Sequence, residues 1–194
     1  MGMSFEEISE FYRAVGVGNE RSVTVLAENT RFVHRRKGDR LRVAGKEMNT
    51  VLFHLNGVGR VYVIDEEGHD QIVGFCYTPG GACLGASGIQ EKFTLNVDAV
   101  TDMDTLELSI TALKHVMKKD PQIAEIVQKL MAEDHDVDYR WHVAMNTKKG
   151  AERYCWFREE YAPCIDVVTQ KDVASFLGIT PQSLSRIRAE MNEE

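Results

Sequence analysis

A change of punctuation at Leu108 constrains this chain more than any other feature. From about Thr30 to Leu108, turn residues recur at short intervals: Lys37-Gly38-Asp39, Gly45, Asn56-Gly57, Glu67-Gly68, Pro79-Gly80-Gly81 and Gly88. Between them lie β-rich runs with rough alternation, at Val51–Leu55, Val58–Ile64, Gln71–Cys76 and Thr94–Val100. Short strands with closely spaced turns predict a β-sandwich or barrel. The run Val61 to Val73 reads as a hairpin in which Glu67-Gly68 supplies the positive-φ position. Residues Ser4–Ala14 and Glu20–Ala27 read as helices flanking this unit.

After Leu108 the period becomes helical. Ser109–Lys119 predicts a short helix, and Pro121 then opens a long one, a favoured place for proline. Apolar residues fall at Ile123, Val127, Leu130, Val137, Trp141 and Ala144, with Asp134 at the one missing step. Spacing that alternates three and four fits either a helix packed on its own domain or a heptad-like dimer seam. The flanking charges suit both. Lys148-Lys149-Gly150 breaks this helix, and Ala151–Tyr161 forms another, with Tyr154, Phe157 and Tyr161 on one face before Ala162-Pro163 stops it.

The last segment, Thr169 to Arg188, fits a helix-turn-helix. Thr169 can cap a first helix with Val173 and Leu177 inward, and Ala174 is small where two helices cross. Gly178 ends that helix in the left-handed conformation, and Ile179 fills the core beneath the turn. Thr180-Pro181 caps and opens a second helix whose inward face is Leu184 and Ile187. Its outward face holds Gln182, Ser183, Ser185, Arg186 and Arg188. Gln and Arg suit bidentate contact with adenine and guanine edges, and hydroxyls such as those of Thr169 and Thr180, or the Gln170 amide, suit phosphate.

Composition then excludes other classes. With 43% hydrophobic and 27% charged residues, the chain is neither disordered nor a disulfide scaffold. Its net charge of −7 argues against coating nucleic acid through bulk charge. Residues 148–188 nevertheless carry seven basic and five acidic side chains, a local excess of two. The charge-free run Gln71–Gln90 holds Pro79 and five glycines, which no lipid-facing helix would carry. Met1-Gly2-Met3-Ser4-Phe5 lacks the pattern of a secretory signal. Cys76, Cys83, Cys155 and Cys164 form no C-x-x-C pair and read as reduced thiols, so a cytoplasmic location is expected. No nucleophile triad, phosphate-cradling loop or H-E-x-x-H motif is present, and His69-Asp70 and Asp65-Glu66-Glu67 read as solvated turn residues. Catalysis is not expected.

In its order of parts the chain resembles the Crp/Fnr (catabolite-activator-like) family of bacterial transcription regulators, over nearly its whole length. Val168–Arg188, and Val51–Phe75 followed by Thr78-Pro79-Gly80-Gly81, carry the resemblance most specifically; Ala151–Pro163 looks like the family's linker helix. The resemblance implies an α+β fold: an antiparallel, jelly-roll-like β-roll of the cyclic-nucleotide-binding type over 1–118, a long dimerisation helix over 119–147, and a helical helix-turn-helix domain over 148–194. It implies a homodimer joined at Ile123, Val127, Leu130, Val137 and Trp141, reading an inverted repeat in double-stranded DNA with half-sites about one turn apart. By position, Gln182 and Arg186 match the family's base-reading residues, while Pro181 stands where several members carry a third. A small-molecule effector and RNA polymerase are the further partners it suggests.

The departures bear on the effector. Cyclic-nucleotide-binding members carry a Gly-Glu pair and, after a short helix, an Arg followed by Ser or Thr. Here Gly85 is followed by Ala86 and Ser87, and no Arg lies between Arg60 and Arg140. Bidentate phosphate capture is unavailable from this region, where Lys92 is the only cation, and cyclic AMP binding is not expected. Scattered cysteines give no iron–sulfur set. His135, Asp138 and His142 share a helix face but read as a solvated polar strip, and no metal site is expected. An effector pocket would involve Gly85, Ala86, Ser87, Thr94 and Leu95, with Asp134 meeting the ligand from the long helix; the cofactor, if any, is unknown. The other reading is a β-roll whose helix-turn-helix needs an effector or serves protein contacts.

Overall fold

The computed structural model describes residues 2–83 and 92–192. Two N-terminal helices, α1 (Phe5–Ala14) and α2 (Glu20–Glu28), precede eight strands: β1 (Thr30–Arg35), β2 (Arg40–Arg42), β3 (Thr50–Asn56), β4 (Gly59–Ile64), β5 (Asp70–Cys76), β6 (Ala82–Cys83), β7 (Asn96–Ala99) and β8 (Met103–Ser109). The strands form two antiparallel four-stranded sheets, in the orders β1-β8-β3-β6 and β2-β7-β4-β5. The fold is α+β, with this β-roll followed by helices: α3 (Ile110–Met117), α4 (Pro121–Thr147), α5 (Gly150–Glu160), a 3-10 turn (Ala162–Cys164), α6 (Gln170–Phe176) and α7 (Pro181–Asn192).

Local chemistry explains the boundaries. Ser4 and Glu7 form a reciprocal capping box that starts α1. Asp120 caps α4, accepting from the Gln122 amide, while its other oxygen takes a 2.6 Å hydrogen bond from Ser22 on α2. That ties the start of the long helix to the N-terminal pair. Gly68 sits at φ +85° in the expected β4–β5 turn. Gly57, at φ +82° between β3 and β4, has a second constraint: a Cβ there would lie 2.3 Å from the Asp102 carbonyl.

Two cores result. The first joins α1–α3 and one face of the β-roll, through Tyr12, Leu26, Val51, Phe53, Leu106 and Leu113, to Ile123 of α4. The second is aromatic and spans the β-roll and the C-terminal helices: Phe75, Tyr154, Phe157, Tyr161 and Phe176, with Tyr77, Trp141 and Trp156 at its edge.

The apolar stripe of α4 faces these cores. Ile123 and Ala144 are each 2% exposed within the single chain. Val127 and Leu130 pack on the first core, and Val137 and Trp141 on the second. The Trp141 indole donates 3.1 Å to the Phe176 carbonyl. Within the single chain this face is covered only in part: Ile123 is buried, whereas Val127, Leu130, Val137 and Trp141 are half-buried. The opposite face is exposed, and it carries two large apolar side chains, Tyr139 (67%) and Val143 (39%).

Candidate functional site

The C-terminal helices form a helix-turn-helix for reasons readable residue by residue. The Thr169 hydroxyl accepts from the Asp172 amide at 3.1 Å and donates to the Asp172 carboxylate at 2.8 Å, capping α6. Val173, Ala174 and Leu177 are buried against Leu184 and Ile187. Gly178 turns the chain at φ +63°. Thr180 then caps α7, accepting from the Ser183 amide at 3.1 Å and donating to the Ser183 hydroxyl at 2.9 Å. Both threonine hydroxyls are therefore committed to caps, although Thr169 and Thr180 themselves are exposed, as is Gln170.

Along the outward face of α7, Gln182, Ser185 and Arg186 are exposed, and Ser183 and Arg188 are half-buried. Arg186 stands 75% exposed, with only a loose 3.9 Å approach to Glu190. Donors of the kind that read base edges thus project from one rigid helix whose opposite face is locked in the core. Arg153 adds rigidity at the corner: its guanidinium donates to the carbonyls of Met145 (2.7 Å), Lys148 (2.9 Å) and Leu177 (3.0 Å). One side chain thereby joins the end of α4, the connection to α5 and the turn of the helix-turn-helix.

A cavity of about 660 Å³ lies between the β-roll and α4. Of the expected pocket residues, Thr94, Leu95 and Asp134 line it, with Lys92 beside them. Gly85, Ala86 and Ser87 lie outside the described residues. Apolar side chains, including Val61, Phe75, Phe93, Trp141 and Tyr161, supply most of the wall. Burial, reinforced by Asp138 and opposed by His135, pushes the Asp134 carboxyl up to about 6. His135, Asp138 and His142 also line the cavity rather than a purely solvated strip. Among the described residues no group of three or more His, Cys, Asp or Glu side chains is placed to hold a metal.

Two wall residues carry no signal in the sequence. Arg42, 7% exposed, comes from the short strand β2, donates to the Leu41 carbonyl and to Thr50, and stacks 4.9 Å from the Phe93 ring centre. About fifty residues separate it from Lys92 and Phe93, and the pairing of β2 with β7, with the backbone bonds of Gly45 and Lys46 to Phe93, brings it near. A cation therefore does reach this cavity, though not from the segment where the family pattern places one. The second is His54 on β3. Its Nε2 is 2.8 Å from the Gly57 carbonyl, to which it donates, and its Nδ1 has no partner among the described residues.

No family model matches the chain. It is 22% identical over 163 residues to Electron transport regulator A of Shewanella oneidensis, and 24% identical over 163 residues to the fumarate and nitrate reduction regulatory protein of Yersinia pestis. Each match covers 78% of this chain and 64% of the relative, so the chain spans under two thirds of these relatives' length. Among solved structures it is similar to a crp/fnr-family transcriptional regulator of Eubacterium rectale, with a TM-score of 0.77 at 20% identity over 95% of this chain and 88% of the other. The fold is that of the Crp/Fnr regulators. Both curated relatives are named as regulatory proteins.

Proposed function

We propose that this chain is a sequence-specific DNA-binding transcription regulator that reads an inverted repeat as a homodimer. The observation that carries this reading is the exposed Gln182–Ser185–Arg186 face on a capped, core-locked α7. Its N-terminal turn is small and polar, as entry into a major groove requires. The local basic excess supports attraction to phosphate, while the net charge of −7 favours selective over indiscriminate binding. Two copies meet along α4, through the half-buried Val127, Leu130, Val137 and Trp141 of its stripe beside Ile123, with the exposed Tyr139 and Val143 available at its flank.

The salt dependence of binding to duplex DNA tests the reading. A DNA-binding face gives log K falling with log salt by about 0.9 per phosphate contacted. A flat dependence would make the helix-turn-helix a protein-contact module.

A second element of the reading is control by a small-molecule effector, which the cavity favours. Its ligand is not cyclic AMP: Ala86 stands where the nucleotide-binding pattern has Glu, and Arg42 is already engaged with Leu41, Thr50 and Phe93. The wall suits a mainly apolar molecule with a hydrogen-bonding group for Asp134.

A further inference from the structure

The helix-turn-helix is seated directly on the β-roll, and one arginine stands at the centre of that contact. Arg60 of β4 lies 2.9 Å from the Asp70 carboxylate on β5, 3.1 Å from Asp98 on β7 and 3.2 Å from Asp172 on α6. Its guanidinium also lies 4.7 Å from the centre of the Tyr62 ring. Asp98 and Asp172 are almost wholly buried. Asp98 also faces Arg40 at 3.5 Å and Asp172 accepts from Thr169. Arg60 is nevertheless the charged partner of Asp172 among the described residues, and losing it would leave that carboxylate with a hydroxyl alone.

Beside this pair, at the bulge where β4 and β5 shift register between Val61 and Tyr62, the Ile72 amide donates 3.0 Å to the Ser175 hydroxyl of α6. Further links across the junction are the Ser175 hydroxyl near the Asp70 carbonyl and the Gln71 side chain, the Tyr77 hydroxyl, donating 2.9 Å to the Glu160 carbonyl, and the aromatic cluster around Phe176. Aromatic packing alone resists separation but tolerates sliding. The Arg60–Asp172 pair is directional and sits at the first turn of α6, where it fixes rotation as well as distance.

We propose that Arg60 is a positioning and specificity-determining residue: by holding Asp172 it sets the angle at which α7 is presented, and hence the half-site spacing the protein accepts. This rests on the DNA-reading proposal above. Docking does not cover the reading face, because Gln182, Ser185 and Arg186 remain exposed in the seated position. The contact therefore orients the helix rather than masking it. A domain held in one orientation meets two grooves a fixed distance apart without first losing rotational freedom. A loosened one binds the preferred operator less tightly and discriminates spacing less.

The test compares the full chain with Asp172→Asn and Asp172→Glu. Asparagine keeps an oxygen for the α6 cap but removes the charge. Amide hydrogen exchange reads docking without DNA, since the Ile72 amide depends on Ser175, and the Leu106 amide in the β-roll core reports whether the fold is intact. Asp172→Asn is expected to speed Ile72 exchange about threefold to tenfold with Leu106 unchanged, while Asp172→Glu retains protection. Binding to inverted repeats whose spacing differs by one base pair is expected to lose discrimination by a similar factor. Unchanged Ile72 exchange in Asp172→Asn would overturn the holding role. Faster exchange with an unaltered spacing preference would overturn the specificity role. If the wild-type chain recognises no inverted repeat, the DNA-reading proposal fails along with the specificity role, and the exchange comparison still decides whether Arg60 holds the domain.

Discussion

Asp134 gives the account a quantitative handle. Its carboxyl titrates at about 6 in the folded chain, against about 3.9 in an unfolded one. Between those values the folded state binds the extra proton, so this group's contribution makes stability fall as pH rises from 4 to 6, then level off. In a fully dry site a gap of about two pH units amounts to about 2.7 kcal/mol. The side chain is only partly enclosed by the cavity wall, and screening by water reduces the figure to about 1 kcal/mol. Asp134→Asn preserves shape and removes the charge. It should therefore be about 1 kcal/mol more stable than wild type at pH 7.5 and indistinguishable near pH 4. Urea unfolding midpoints from pH 4 to 8 provide the assay. A difference that does not vary with pH, or a variant less stable at pH 7.5, would show that the carboxylate is not confined as the cavity implies.

Other substitutions separate the roles assigned here. Phe176→Ala, at a position 1% exposed within the aromatic cluster, should lower stability by about 3–5 kcal/mol in chemical denaturation. Gly178→Ala should cost about 1–2 kcal/mol through its backbone alone, since the added Cβ would meet Arg153 at an ordinary 3.6 Å. Tyr139→Arg should weaken self-association about tenfold in sedimentation, about 1.4 kcal/mol, with little change in unfolding of the monomer. Arg186→Ala should cost about 1–3 kcal/mol at one base position in competition binding; an equal loss on every sequence would instead make Arg186 a phosphate contact.

The helix-turn-helix was legible in sequence because its signals are local. Thr169, Gly178 and Thr180-Pro181 act within a few residues of themselves, and their caps and turn need no tertiary information. The same holds for the β4–β5 hairpin with Gly68. The face of α4 was not legible in this way. A stripe at spacing three and four says that a helix face is covered, but not how the cover divides between a partner helix and the chain's own sheets, which here leave Val127, Leu130, Val137 and Trp141 half-buried. Arg42 and Arg60 were invisible for a related reason. Each acquires its role from residues far along the chain, Arg42 from Phe93 and Arg60 from Asp172, and nothing beside either arginine announces the contact. Phe176 lay one step from the predicted core position Leu177; it proves to face the β-roll, which sequence periodicity within a seven-residue helix cannot distinguish.

The central claim is that α7 reads DNA from a dimer. Selection of binding sites from a random duplex pool, with purified ligand-free protein at near-physiological salt, tests it most directly. The account predicts enrichment of an inverted repeat whose half-sites lie about one helical turn apart. Failure to enrich any sequence from a demonstrably dimeric sample, with and without candidate small molecules filling the cavity, would contradict it.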